Sequence, residues 1–415
     1  MARHVLHFAT VDGTLSEVRE LIAFDLPSGP AFLRALINAW EQGDAVLPLD
    51  TKAPLAYSWA TLQAMRPAAV IDADGERHKL SDSIPVEEGD ALVVMTSGTS
   101  GAPKGVVHTH ASVEYAAFCT STAAGVIADC CWLACLPISH VGGLSVVSRA
   151  LHTGAGLIML DRADPADIAK AQIDGASHVS LVPTLLGRIN PDAFHTILLG
   201  GSAIPKLRPS NTIATYGMTE TFGGVVYEGL ALNGVEVRTT QSDLIEIRSP
   251  TLLRTYRNAT YPNGIDLKDP DLKDPDPKDA QGWLRTGDVG QVDAATGLLS
   301  VHGRADDVII TGGEKVWPQA VEAVLADHAG VGEVAVIGVA DLEWGQRVVA
   351  LIVPSASHVP PTVQEARELV REQLPVAAAP KEIRLVDSLP RTSVGKLRRI
   401  TLSEQRSSGE HQTYG

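Results

Sequence analysis

Nothing in this sequence is apolar for long enough to cross a bilayer, and the opening Met1-Ala2-Arg3-His4-Val5 is not followed by the apolar run of a secretory signal. The expectation is a cytoplasmic protein with no membrane partner. Cysteine is scarce: Cys119, Cys130, Cys131 and Cys135 are the only four. They form no Cys-x-x-Cys pair, and adjacent Cys130 and Cys131 are badly spaced to share a zinc ion, so free thiols in a reducing compartment are expected. Basic residues are also short. With 34 basic against 49 acidic residues the chain carries a formal net charge of −15, which argues against nucleic acid as a partner. A local basic pocket for an anionic substrate is compatible with that balance. At 415 residues the chain is too long for one core, so at least two domains are expected, and 45% apolar content suits a globular enzyme.

What is present is a loop for phosphate. An apolar run, Ala91 to Met95, reads as a buried strand and leads into Thr96-Ser97-Gly98-Thr99-Ser100-Gly101-Ala102-Pro103-Lys104-Gly105. Glycines let backbone N–H groups approach an anion, hydroxyls add neutral donors, and Lys104 adds a positive charge. It is not a Walker loop, because Lys104 is followed by Gly105 and Val106 rather than Ser or Thr. Alone, it also reads as a hydroxyl-rich surface turn.

Helical spacing over Phe32–Trp40 and Ala60–Met65 alternates with strand-like Ala45–Asp50 and Ala68–Ile71, the pattern of a mostly parallel α/β sheet. A helix is expected from His108 to Phe118. Further on come Leu136-Pro137-Ile138-Ser139-His140, the strand-and-turn Val179 to Arg188, and the strand-and-glycine turn Thr196 to Pro205 with Gly200, Gly201 and Ser202. Then follow Tyr216-Gly217-Met218-Thr219-Glu220, Gly282 to Asp288, and Gly303-Arg304-Ala305-Asp306. The acid-, lysine- and proline-rich segment Leu267–Asp279 cannot bury apolar area and reads as a surface insertion. Near the end, Pro318 opens a helix with Val321, Val324 and Leu325 on one face, Thr362 and Glu365 suggest a capping box, and Leu389 to Lys396 closes the legible part.

These stretches, in this order, resemble the adenylate-forming superfamily of acyl-CoA synthetases, adenylation domains and luciferases. The resemblance implies an α/β fold: a large N-terminal domain of mixed and parallel sheets (1–305, shortened at its start) and a small mobile α+β domain (306–415). It implies that Thr96 to Gly101 and Lys104 hold ATP phosphates. Gly200, Gly201, Ser202, Tyr216 and Gly217 would lie along adenine, and Asp288 and Arg304 would meet the ribose. Thr219 would contact phosphate, Glu220 would hold Mg²⁺, Lys396 would be the catalytic lysine, and Asp306 the hinge. Gly312, Gly313 and Trp344 resemble the face that receives CoA, although Trp344 also reads as plain packing. His140 would line the acyl pocket, or be an ordinary half-buried histidine. Amino-acid-activating relatives carry an aspartate beside that position, and Ser139 and Val141 stand here instead. Arg188 either pairs with a second substrate carboxylate or is simply solvated.

Within the superfamily the likeness is to short bacterial 2-succinylbenzoate–CoA ligases of menaquinone synthesis, carried by Leu181 to Thr184 with Arg188, Leu199 to Pro205, and Tyr216 to Thr221 leading to Gly223-Gly224. The implied substrates are a small carboxylic acid, ATP with Mg²⁺, and CoA, and a homodimer stays open. The alternatives are another acyl- or aryl-CoA synthetase, or a non-catalytic adenylate-binding relative.

Overall fold

The computed structural model describes residues 18–97, 103–202, 204–205, 207–257, 277–391 and 397. By packing, these residues divide into two units: the chain up to Glu236 with Ile247–Leu284, and Val237–Glu246 with the chain from Arg285 onward.

Short, continuously apolar runs make the first unit's strands. In chain order they are β1 (Leu21–Phe24), β2 (Ala45–Pro48), β3 (Ala69–Ile71), β4 (Arg77–Lys79), β5 (Asp90–Ser97), β6 (Pro103–Thr109), β7 (Cys131–Ala134), β8 (Gly156–Met159), β9 (His178–Leu181), β10 (Thr196–Leu199), β11 (Thr212–Met218), β12 (Gly223–Tyr227) and β13 (Leu230–Ala231). Then come β14 (Glu236–Thr239), β15 (Leu244–Arg248) and β16 (Thr255–Arg257). Four-residue strands such as β1, β2, β9 and β10 are buried at every position, as strands covered on both faces must be. The helices are α1 (Pro30–Glu41), α2 (Leu55–Met65), α3 (His110–Ala123), α4 (Val141–Thr153), α5 (Pro165–Ile173) and α6 (Pro183–Leu186).

Two seven-stranded sheets result, ordered β16-β6-β5-β2-β1-β3-β4 and β13-β12-β11-β10-β9-β7-β8. The parallel expectation holds for the centre of each: β5-β2-β1-β3 in the first and β11-β10-β9-β7-β8 in the second. Antiparallel partners flank those centres, at both edges of the first sheet and at the β12–β13 edge of the second. Phe24, Phe32, Leu36, Leu92, Val94, Val113, Leu144 and Phe222 share one core cluster, and each such fully buried side chain contributes about 1.5–3 kcal/mol.

One boundary departs from the sequence reading. His108 belongs to β6, and α3 starts at His110. Val106 and Val107 favour the strand, and Thr109 caps the helix by accepting from the Ser112 N–H while Ser112 accepts in return.

In the second unit, β17 (Leu284–Val292) and β18 (Leu299–Arg304) complete a four-stranded sheet with β14 and β15. Beyond it lie β19 (Ile309–Thr311), β20 (Glu314–Val316), α7 (Pro318–Leu325), β21 (Val331–Asp341), β22 (Gly345–Pro354), α8 (Val363–Gln373) and β23 (Glu382–Leu385). α7 buries Pro318, Val321, Val324 and Leu325, the face read from the sequence. α8 opens with the Thr362–Glu365 capping box and buries Ala366 and Val370 one turn apart. The packing boundary falls at Leu284/Arg285, whereas the boundary read from motifs falls at 305/306. The hinge read at Asp306 concerns motion rather than packing. Of the insertion Leu267–Asp279, residues up to 276 lie outside the described residues.

Candidate active site

The carboxyl ends of the parallel strands in the second sheet gather most of the candidate residues. This is where open α/β sheets bind ligands. The loop after β7 carries His140, which stands at the N-cap position of α4 with no side-chain capping bond. The turn after α6 carries Arg188, which is exposed. Gly200, Gly201 and Ser202 follow β10, and Gly201 has φ +83°, a left-handed conformation that suits glycine. Tyr216, Gly217 and Met218 end β11, and Thr219 and Glu220 form the turn into β12. The hairpin closes so tightly at Gly217 that a Cβ there would lie 1.9 Å from the Gly223 carbonyl oxygen. Thr221 stitches the turn. Its hydroxyl accepts from the Met218 N–H at 2.9 Å and lies 2.6 Å from the Gly223 carbonyl.

The loop read for phosphate lies in sequence between β5 and β6, which pair Thr96 with Lys104 and Ser97 with Pro103. Gly98, Thr99, Ser100 and Gly101 lie outside the described residues. β6 brings Lys104 to the β11–β12 turn. The Lys104 ammonium stands 5.7 Å from the centre of the Tyr256 ring, and the Tyr256 hydroxyl donates to Glu220 Oε1 at 3.0 Å. Four residues further along β6, the buried His108 reaches Thr219. Its Nε2 is 2.8 Å from the Thr219 carbonyl, its Nδ1 is 3.3 Å from Ser112 Oγ, and its ring packs edge-on against Phe222. Burial pushes the His108 imidazole down to about 4, so it is neutral at pH 7 and Nε2 is the protonated nitrogen that donates to the carbonyl. Tyr256 thus meets both Lys104 of β6 and Glu220, and His108 of the same strand reaches Thr219. A carboxylate such as Glu220 is a ligand type that Mg²⁺ accepts alongside phosphate and water oxygens.

Two residues here escaped sequence reading. Tyr256 enters through the pairing of β16 with β6, a contact with no local signal. Arg149, on α4, is only 3% exposed. Its Nε donates to Thr120 Oγ1 at 3.1 Å, Nη1 to Ser180 Oγ at 3.2 Å and Nη2 to Ser145 Oγ at 3.0 Å, while its Cζ lies 4.8 Å from the Trp132 ring centre. The titratable groups that face it are Tyr227 and Cys119. Burial pushes the phenol up to about 12 and the thiol to about 11, so both are neutral at pH 7. Among the described residues no carboxylate pairs with Arg149. Two serines at Ser145 and Ser148 inside the apolar run Leu144–Leu151 were the available hint that this helix face reads something polar.

The four cysteines are free, and burial also raises Cys135 to about 12. Among the described residues the one cluster with metal-ligand geometry is Asp72, Glu76 and His78. It is largely exposed and includes no cysteine.

The second unit brings together two candidate pairs. Asp288 and Arg304 face each other across β17 and β18, and Arg304 Nη1 donates to Asp288 Oδ1 at 3.2 Å and to the Thr286 carbonyl at 3.0 Å. Gly312 and Gly313 turn between β19 and β20 with φ +59° and +82°. The Gly312 N–H donates to the Trp344 carbonyl at 2.9 Å, and a Cβ at Gly312 would lie 2.9 Å from the indole. The Lys381 ammonium caps that indole 3.2 Å from its centre, a partner that sequence reading missed. Asp306 is exposed in the turn after β18. Lys396 lies outside the described residues.

Residues 52–284 match the AMP-binding enzyme family model, and residues 320–396 match that of the AMP-binding enzyme C-terminal domain. A probable 2-succinylbenzoate–CoA ligase of Mycobacterium tuberculosis is 36% identical, over 78% of this chain and 86% of that protein. A 2-succinylbenzoate–CoA ligase of Listeria monocytogenes is 31% identical, over 90% of this chain and 86% of that protein. Among solved structures, ATP-bound MatB from Rhodopseudomonas palustris superimposes with a TM-score of 0.80 at 22% identity, covering 94% of this chain and 89% of that one. The o-succinylbenzoate CoA synthetase of Bacillus subtilis, in complex with its acyl-adenylate intermediate, gives 0.78 at 24% identity, covering 95% and 89%. These two share the fold.

Proposed function

The chain belongs to the AMP-binding enzyme family, and from that membership we propose that it is an ATP-dependent acid–CoA ligase whose acid is 2-succinylbenzoate. The observation that carries the choice of acid is Arg149. A buried guanidinium surrounded by hydroxyls and neutral acids is an unbalanced charge, which is costly in a protein interior unless a partner arrives. A substrate with two carboxylates supplies that partner with one and reacts through the other. Arg188, exposed on the turn after α6, is the second candidate for the same task.

In the first half-reaction a carboxylate oxygen attacks the α-phosphorus of ATP and pyrophosphate leaves. Two anions must be brought together, so positioning and charge neutralisation supply most of the rate. On this reading the loop from Thr96 and Lys104 hold the β- and γ-phosphates, and Tyr216 with Gly200 to Ser202 lies along adenine. Thr219 meets the α-phosphate, and Asp288, held by Arg304, accepts the ribose hydroxyls. Glu220 would hold Mg²⁺, which when bound would supply charge neutralisation for the leaving pyrophosphate. Lys396 bridges the acyl and α-phosphate oxygens. The second half-reaction follows rotation at Asp306. Lys396 withdraws, the face with Gly312, Gly313 and Trp344 admits CoA, the thiol sulfur attacks the acyl carbon, and AMP leaves. The same reading makes the acid, ATP and CoA the enzyme's partners in the cytoplasm, with no nucleic acid among them.

The test is pyrophosphate release with ATP, Mg²⁺ and a panel of acids, each with and without CoA. 2-Succinylbenzoate is expected to be the acid turned over, and Lys396→Ala to lower the rate by about a hundredfold or more. Turnover with monocarboxylates instead would remove the acid assignment and keep the chemistry. Nucleotide binding with no pyrophosphate from any acid would sink the ligase reading.

A further inference from the structure

We propose that Tyr256 is a positioning residue that keeps the phosphate-binding cation and the metal-binding carboxylate apart, so that neither neutralises the other. The inference rests on the ATP chemistry proposed for this chain. Lys104 and Glu220 have opposite charges and occupy one corner of the first unit. Left to themselves, such a pair closes into an ion pair, and both lose their use to a ligand. A single phenol touches both. Its hydroxyl donates to Glu220 Oε1 at 3.0 Å, and its ring lies 5.7 Å from the Lys104 ammonium, within reach of a cation–π attraction.

The backbone around Glu220 is fixed separately. The Thr219 carbonyl meets His108, and the Glu220 carbonyl accepts from the Leu253 N–H at 2.8 Å. What those bonds leave undetermined is the carboxylate's own rotation, and the Tyr256 hydroxyl supplies that restraint. A donor on one carboxylate oxygen orients the group and leaves lone pairs for a hard cation. Tyr256 is itself held centrally in β16, opposite Val106 of the strand that carries Lys104. The pairing of β16 with β6 therefore holds the phenol against the strand that carries Lys104.

The experiment titrates Mn²⁺, as a paramagnetic stand-in for Mg²⁺, into the protein–ATP complex and reads bound metal by electron paramagnetic resonance. ATP affinity in EDTA and the unfolding temperature are measured alongside. Tyr256→Phe is expected to weaken Mn²⁺ binding about tenfold, as loss of a ligand-orienting hydrogen bond does, with ATP affinity in EDTA and the unfolding temperature unchanged. Added to Glu220→Gln, it should change nothing further. Tyr256→Leu removes the ring as well and should also weaken metal-free ATP binding, because Lys104 loses its support. Wild-type Mn²⁺ affinity in Tyr256→Phe would overturn the proposal, and so would an equal loss in the Glu220→Gln background. A wild-type chain that binds Mn²⁺ and ATP but releases no pyrophosphate would sink the ligase reading while leaving the Tyr256 result to stand on its own numbers.

Discussion

Arg149 and Arg257 are both buried in the first unit, and their surroundings are opposites. Arg257 reaches into a seam of backbone acceptors: Nε donates to the Met65 carbonyl at 2.7 Å, Nη1 to Pro85 at 3.1 Å, and Nη2 to Arg66 at 3.4 Å and to Ile84. Those carbonyls have fixed direction and would each lose a donor if the guanidinium went, with the Arg66 carbonyl keeping the Ile84 N–H at 2.9 Å. Around Arg149 every hydrogen-bond acceptor is a hydroxyl, which rotates and can donate as readily as accept. One arginine is a fastening for loops that would otherwise bury orphan carbonyls. The other, on the function proposed above, is a charge available to a second substrate carboxylate. Burial alone does not separate the two roles; the kind of acceptor does.

The largest effect should come from breaking the fastening. Arg257→Met takes the guanidinium donors from the Met65, Pro85 and Ile84 carbonyls and is expected to lower stability by about 4 kcal/mol, measured by urea unfolding. Near-wild-type stability would remove the distinction. Next is Arg149→Met, which takes away an uncompensated charge and should leave stability within about 1 kcal/mol of wild type, or raise it. The same change should lower kcat/KM for 2-succinylbenzoate by about a hundredfold, a little under 3 kcal/mol, and that for a monocarboxylic acid far less. Equal losses for both acids would make Arg149 structural.

The smallest effect is in pH. His178 packs against Trp132, beneath Arg149, and stacks on His195. Burial, helped by the positive field of His195, pushes it down to about 4, whereas the carbonyls around Arg257 do not titrate. An unfolded histidine binds its proton near 6.5, so between that pH and about 4 the unfolded chain holds a proton that the folded chain lacks. Stability should therefore be highest above pH 6.5 and fall as pH drops toward 4. His178→Gln is expected to flatten that fall by about 1–2 kcal/mol, read from urea midpoints at pH 7.5 and 5. His108, also near 4, adds its own share to the wild-type slope.

Local signals were legible in the sequence. The Thr362–Glu365 box, the apolar face from Pro318 and the buried strand before the phosphate loop all depend on neighbours within a turn or two, and all stand where expected. Thr109 with Ser112 was a readable cap, but the helical look of His108 to Phe118 hid it. What could not be read was long-range. Tyr256 reaches Glu220 only because β16 crosses back onto β6. Arg149 reaches Ser180 only because α4 lies on β9, and an arginine met alone is taken for a solvated one. The sequence reading singled out Arg188, either solvated or pairing with a second carboxylate, and passed over Arg149, which only the fold shows to be buried.

The strand β6 also fixes how this region can change over generations. Lys104, Val106 and His108 project from one face, and at roughly 3.3 Å per residue they set about 13 Å between the cation at the phosphate loop and the imidazole that holds Thr219. Side chains along that strand can be exchanged one at a time. Adding or deleting a single residue would turn Lys104 to the opposite face and shift its distance from Thr219 together. The segment is open to substitution and closed to changes of length.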